Sequence, residues 1–356
     1  MMGVGGLMRS TLWALCFLAI AQFSAESRFF LSDTPKQVTV HFRFQEHTLT
    51  LHEPVLAVFE VHNGLSEPIT VSVGSTIREY FDFALTMPNG KVLRKDNTLP
   101  PDSVTVGSGK ITVEPGADYQ ERLVMNRWFP FEMQGTYALV AKLTSDILTT
   151  DGSIRPEAET TEMHVNPRSP ARIKTLCAEL AKQVQGSANA AAAQEPALIL
   201  SYVDDPIAVP YLEQVLSTNT LTYDEAISGL QRVGNDAAVE VLLSTVNNNP
   251  NDIGDKASRA LVTLQEHISN PRLKESVREA VQRASDRSRN EFIQTQITYL
   301  DYHDPTLQTS AIQNLIAADG LQRAEPILER LANDPNQPPI VTAAAKDALQ
   351  RIHSSK

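Results

Sequence analysis

Glu225–Val246, EAISGLQRVGNDAAVEVLLSTV, decides how the second half of this 356-residue chain folds. Ala226 and Leu230 fall four residues apart. Gly234 and the polar residues after it turn the chain. Ala238, Val239, Leu242 and Val246 then resume at helical spacing. Apolar residues recurring at three and four mark a helix with one buried face. Two such helices joined by a short turn bury their stripes against each other, and alanine lets the backbones approach. The pattern returns in Ala311–Leu331, AIQNLIAADGLQRAEPILERL, where Ala311, Leu315, Gly320, Ala324, Ile327, Leu328 and Leu331 fill the same places. Asp204–Leu216, DDPIAVPYLEQVL, supplies a third instance.

Outward from these segments, residues 171–353 keep the helical period, with about ten helices of roughly 11–16 residues. Their starts are punctuated. Asp205-Pro206, Asn270-Pro271 and Asp304-Pro305 each offer an N-cap side chain followed by a first-turn proline. Thr222 with Glu225, and Ser288 with Glu291, have capping-box spacing. Second helices of the pairs are expected near Pro206, Asp236, Pro271 and Leu321. The last of these intervals is too long for one pair, so an extra helix is expected at Asn290–Leu300 and a kink in the array with it.

These paired helices resemble HEAT repeats, particularly the short bacterial kind. The resemblance implies an armadillo-like, α-α superhelical solenoid over residues 171–353. Each pair in such a stack needs its neighbours to bury its faces. It also implies a long curved surface of the sort that holds proteins or peptides.

Residues 35–166 read differently. Val38, Val40, Phe42 and Phe44 alternate with Thr39, His41 and Arg43, the period of a half-buried strand. Further strands are expected at Val55–Val61, Ile69–Val73, around Phe81–Met87, and at Ile111–Val113, Tyr119–Met125, Thr136–Leu143 and Thr160–Val165. Pro88-Asn89-Gly90 makes a tight turn. Seven or more short strands with turns between them predict a β-sandwich. Val58–Val71 (VFEVHNGLSEPITV) and Val113–Leu143 (VEPGADYQERLVMNRWFPFEMQGTYALVAKL) resemble bacterial immunoglobulin-like or fibronectin-type modules. That resemblance implies a fold and no activity. The expected class is therefore multidomain, all-β then all-α: an immunoglobulin-like sandwich at 35–166, a stiff linker at 167–170 and the helical array.

Ahead of both, Arg9 precedes the apolar run Thr11–Phe23, TLWALCFLAIAQF, with small residues Ser24 and Ala25 beyond it. Residues 1–25 read as a secretory signal, with cleavage after Ala21 or Ala25. A membrane anchor over residues 7–25 is the alternative, although a spanning helix needs about 20 apolar residues. The protein is expected to be exported, periplasmic or extracellular. Cleavage leaves one cysteine, Cys177, which sits on the apolar stripe of Ile173, Leu176, Leu180 and Val184 and reads as a small buried hydrophobe. The formal net charge of −11 disfavours nucleic acid as a partner. Contact with a membrane is expected only through an uncleaved N-terminal segment.

Motifs for chemistry are weak. His41, His47, His52 and His62 crowd one β segment, but no spacing matches a recognised metal set, and they read as surface histidines. Val106–Thr112, VGSGKIT, lacks the Ser or Thr after Lys110 and the following helix that a phosphate loop needs. No G-x-S-x-G elbow is present. We therefore expect no catalytic, cofactor or metal residue, and no enzymatic activity. Asn126–Phe131, NRWFPF, concentrates aromatics at a strand end, either as a contact surface or as a plug over the end of the sandwich. Trp128 there, with Tyr223, Arg232 and Arg259 on the helices, are the candidate partner contacts. The expected function is an exported scaffold that binds another protein through its helical surface. The alternatives are a cofactor-processing enzyme of the HEAT-like lyase type and a glycan-binding accessory module.

Overall fold

The computed structural model describes residues 37–72, 80–95, 109–218 and 222–354. Among them, twelve strands precede ten α-helices, so the chain is β first and α second. The export-signal reading of residues 1–25 lies outside the described residues, as does the Val106–Ser108 part of the glycine-containing loop. No helix among the described residues is long and apolar enough to cross a membrane.

In the β region, β1 (Val38–Phe44) pairs with β3 (Leu56–Asn63), and β3 pairs with β8 (Asp118–Val124), both antiparallel. A second sheet sets β4 (Ile69–Ser72) between β7 (Lys110–Val113) and a hairpin of β10 (Ile147–Thr149) and β11 (Gly152–Ile154). A third sheet runs β2 (Thr48–Thr50), β12 (Glu159–Asn166), β9 (Gly135–Leu143), β5 (Phe81–Thr86) and β6 (Val92–Arg94). Its β2–β12 pair is parallel. Alternation in β1 and β5 sends Phe42, Phe44, Phe81 and Phe83 inward, where they join Phe59, Tyr137 and Leu139 in one core. Val38 and Val40 are only half-buried and pack against the edge of this core, although β1 pairs with β3 from Val38 onward. Met87 N–H donates to the Lys91 carbonyl and Gly90 takes φ 80°, so the expected turn at 88–90 forms. The three-residue strands β2, β6, β10 and β11 were not expected.

Helix α1 (Pro170–Gly186) begins four residues after β12 ends. It is followed by α2 (Ala190–Ser201), α3 (Val209–Thr218), α4 (Tyr223–Val233), α5 (Asp236–Asn248) and α6 (Asp252–Leu264). Then come α7 (Pro271–Tyr299), α8 (Pro305–Ala317), α9 (Leu321–Asn333) and α10 (Pro339–Ser354). Alternate helices touch: α2, α4 and α6 form one layer, and α1, α3, α5 and α7 another. The stripe Ala226, Leu230, Ala238, Val239, Leu242 and Val246 is buried between the layers. Side-chain caps form at Asp205, Asn270 and Asp304.

Three helix details depart from expectation. Thr222 precedes α4 but makes no side-chain cap bond, and its buried hydroxyl has no partner among the described residues. Gly234 takes the left-handed φ of 58° after α4. At the matching place after α8, Asp319 takes φ 52° instead. Gly320 is required there for room, since a Cβ would sit 2.8 Å from Ile293.

The third departure is larger. The extra helix expected at Asn290–Leu300 does not exist as a separate element. α7 runs unbroken for 29 residues through Ser288, which is no N-cap. Its Oγ instead contacts the Asp255 carboxylate at 3.2 Å. Leu273, Val277, Ala280 and Ala284 on the first half of α7 belong to the core shared with α1–α6. Ile293 on the second half belongs to a separate core with α8–α10. α7 thus joins two hydrophobic cores rather than breaking at a loop.

Candidate binding clefts at the junction of the two regions

The β region meets the helices through the 45–56 loop and the ends of β3 and β8. Leu56 and Val124 lie opposite each other on those strands and pack into the core of the first helices. Polar clamps surround this apolar contact. Glu53, 4% exposed, accepts from Arg172 Nε on α1 at 2.7 and 3.0 Å and from Thr50 Oγ1 at 3.0 Å. The same guanidinium reaches Glu46 at 2.5 Å. Arg122 on β8 pairs with Glu195 on α2 at 2.6 Å.

Linker residue Arg168 makes a two-pronged pair with Asp205, at 2.5 and 3.0 Å. Burial would raise the Asp205 carboxyl. The Arg168 hydrogen bonds and the Ile207 N–H outweigh it and hold the group below the usual carboxylate range. The linker is therefore fastened at Arg168. His52 adopts φ 74°, a conformation that side chains with a Cβ rarely take, and its carbonyl accepts from Asp204 N–H at 3.2 Å. That bond compensates the unusual backbone and ties the loop to the α2–α3 connection.

Two cavities flank Glu53. The first, about 360 Å³, is walled by Trp128, Phe129, Pro130 and Phe131 from the β region and by Tyr202 and Arg232 from the helices. His52, Glu53, Glu132 and Asp204 supply its polar edge. Phe129 and Phe131 are buried in the β core, while Trp128 is half-buried beside Phe83, with ring centres 5.4 Å apart. The NRWFPF segment therefore plugs the core with two rings and lends the third to the cleft. The Trp128 Nε1–H is buried without a hydrogen-bond partner among the described residues. Arg232 lies over the Tyr202 ring at 3.9 Å and donates to the Ser201 carbonyl. The second cavity, about 200 Å³, lies between the 45–56 loop and helices α1 and α2, and combines aliphatic walls with charged and amide side chains.

Of the four expected contacts, the structure brings Trp128 and Arg232 to one cleft. Tyr223 and Arg259 lie elsewhere, on the α4–α6 layer. Tyr223 is half-buried; its hydroxyl donates to Asp252 at 2.5 Å, and Lys256 sits 4.7 Å from its ring centre. Arg259 is exposed on α6. The other cleft residues, Tyr202, His52 and Glu53, carried no local signal. The aromatic run at 126–131 and Arg232 were the parts of the cleft found from sequence.

Of the remaining candidates, Cys177 is packed in the helical core, and His41 and Lys110 are exposed. Burial pushes the Cys177 thiol up to about 12, with Asp205 adding to the effect. His41 and His62 contact single carboxylates, Glu159 at 3.0 Å and Asp118 at 2.7 Å. No group of three metal-binding side chains occurs among the described residues. Lys110 opens a strand.

No protein-family model matches the chain, and no curated protein is similar to it at a significant level. Solved structures are distant. Human deoxyhypusine hydroxylase in complex with glycerol is 13% identical, over 51% of this chain and 86% of that one, at TM-score 0.24. An engineered protein is 19% identical over 51% and 97%, at TM-score 0.20. The sporulation control protein Spo0M of Bacillus subtilis is 16% identical over 40% and 54%, at TM-score 0.22. Likenesses at these values carry no argument about fold or function.

Proposed function

We propose that this chain is an exported, non-catalytic scaffold that binds another protein through its helical surface, with the β region fixed against the first helices. The proposal takes the β region as an immunoglobulin-like sandwich. Tyr137 supports that reading: buried near the start of β9, its hydroxyl bonds the backbone of Met133, four residues upstream, at 2.9 Å. Such a tyrosine corner is a recurrent device of these sandwiches. The helices are taken as a HEAT-type solenoid, supported by the alternation of contacts between two layers.

One observation carries the functional reading. The innermost charges of the junction, Glu53, Arg172, Asp205 and Arg168, pair with each other inside the chain, while aromatic and aliphatic side chains wall its cavities. Charges so engaged position the two regions. Apolar walls with a few polar edges suit binding. Photo-crosslinking groups placed at Trp128 and at Arg259 test the reading in cell-envelope preparations. A defined crosslinked protein at the helical position supports it; absence of any product from both positions counts against it.

A second reading, a glycan-binding module, has one observation in its favour: the half-buried Trp128 ring in the aromatic wall of the first cleft. Quenching of Trp128 by oligosaccharides would support it. An unchanged spectrum would remove it.

A further inference from the structure

We propose that the aliphatic cavity between the 45–56 loop and helices α1 and α2 seats one bulky apolar side chain of a partner peptide, and that an adjacent lysine or arginine is held at its mouth by Glu179 and Glu46. The inference rests on the protein-binding reading above and names the partner's chemistry.

Size comes first. The cavity holds about 200 Å³. An apolar cavity of about 150 Å³ accepts benzene, so this one has room for a phenyl or isobutyl group. Its walls come from Leu49, Leu56, Leu176, Leu180, Pro196 and Ile199. Leu56 and Leu176 remain half-buried there, so an incoming side chain would remove their exposed carbon from water.

Charge comes second. Four carboxylates, Glu46, Glu53, Glu179 and Glu195, face two guanidinium groups, Arg122 and Arg172. Arg122 is engaged by Glu195, and Arg172 is divided between Glu53 and Glu46. Glu179 accepts from the neutral Gln183 amide at 3.1 Å. The mouth therefore has a surplus of negative charge, which repels an acyl chain with an anionic head and attracts a cation. The Gln45 and Gln183 amides at the rim can bond a peptide backbone.

The test uses the full chain, isothermal titration at low salt, and blocked tetrapeptides with the central pair Phe–Arg, Phe–Glu or Ala–Arg. The Phe–Arg peptide should bind, and the other two about ten-fold more weakly or worse. Leu176→Trp fills the cavity and should weaken Phe–Arg binding by about ten-fold or more. Glu179→Lys, an exposed change that leaves packing intact, should erase the preference for Phe–Arg over Phe–Glu. Equal binding of these two peptides to the unaltered protein, or no binding at all, overturns the proposal. So does a folded Leu176→Trp protein that binds Phe–Arg as tightly as before. If the unaltered chain forms the crosslink at position 259 but fails the peptide tests, the cavity assignment fails alone. If the unaltered chain forms no crosslink, the protein-binding reading fails with it.

Discussion

Replacing Arg172 by methionine strips the main cation from Glu53 while keeping most of the aliphatic stem. Among the described residues, Glu53 would retain only the Thr50 donors, the hydroxyl at 3.0 Å and the N–H at 3.3 Å. Breaking a fully buried ion pair costs about 3–5 kcal/mol, because the survivor's charge stays desolvated. Here the Arg172 side chain is 42% exposed, and cavities lie on both sides of Glu53. Water can therefore reach the stranded carboxylate, which lowers the expected cost to about 2–3 kcal/mol. The Glu46 limb of the same guanidinium is more exposed and adds about 0–1 kcal/mol. In a Trp13→Phe background, Trp128 is the only indole, and it stands at the junction. Urea unfolding followed by its fluorescence reads the junction, while far-UV circular dichroism reads the helices. Arg172→Met should move the fluorescence midpoint to lower urea more than the dichroism midpoint. Glu53→Gln added to Arg172→Met should cost less than the two changes summed, by about 1 kcal/mol or more. A loss under about 0.5 kcal/mol for Arg172→Met, or strict additivity of the pair, would refute the reasoning.

Asp205 governs an acid limb. Its folded carboxyl lies below the unfolded value of about 3.9, so the unfolded state binds more protons in that range. Its contribution is complete above the unfolded value and is lost as pH falls through the folded one; Asp205→Asn should flatten a stability–pH profile there. Gly229→Ala would place a Cβ 2.8 Å from Leu212 and 2.9 Å from the Ser201 backbone, where α4 crosses α3 and α2. Denaturant titration should show a loss of about 1–3 kcal/mol despite alanine's better helix propensity. Cys177, 0% exposed and with its thiol pushed up to about 12, should react with thiol reagents at pH 8 only as fast as the protein opens. Arg289→Pro separates a continuous α7 from a break capped by Ser288. Proline is welcome at the first position of a new helix but costs about 3 kcal/mol or more inside one, so thermal melts against an Arg289→Ala control decide between them.

The sequence made most elements legible because their signals are local. Asn270 and Asp304 cap the N–H groups two and three residues on, and the alternation of β1 needs only its own seven residues. The clefts were hardly legible, because their walls assemble over distance. Glu53 is a surface-type residue until Arg172, 119 positions later, comes to cover it. Tyr202 becomes a wall only because Arg232 lies on one face of its ring. Trp128 was the exception, since three aromatics within four residues announce an apolar surface wherever they land.

The unbroken α7 shows where a local signal can mislead. Ser288 and Glu291 carry capping-box spacing, and no residue from Ser285 to Phe292 is buried, so the apolar period does lapse there. A lapse in the apolar stripe ordinarily marks a loop. Here polar contacts replace the apolar ones. Arg287 and Ser288 bind Asp255 on α6 at 3.2 Å, and Arg289 donates to the Ala318 carbonyl at 2.8 Å. Asn290 accepts from Arg323 at 2.9 Å. The backbone, free of glycine and proline from 272 to 299, continues the helix because nothing in it favours stopping. The outcome is a rod with a hydrophobic core at each end and a hydrated waist. Half-buried and exposed polar contacts, each individually weak, therefore hold the neighbouring helices to this waist in place of apolar packing. Hydrogen exchange on α7 should accordingly be fastest at residues 285–292, and faster still after Arg287→Ala. Uniform protection along the helix would show that the waist is as firmly held as its ends.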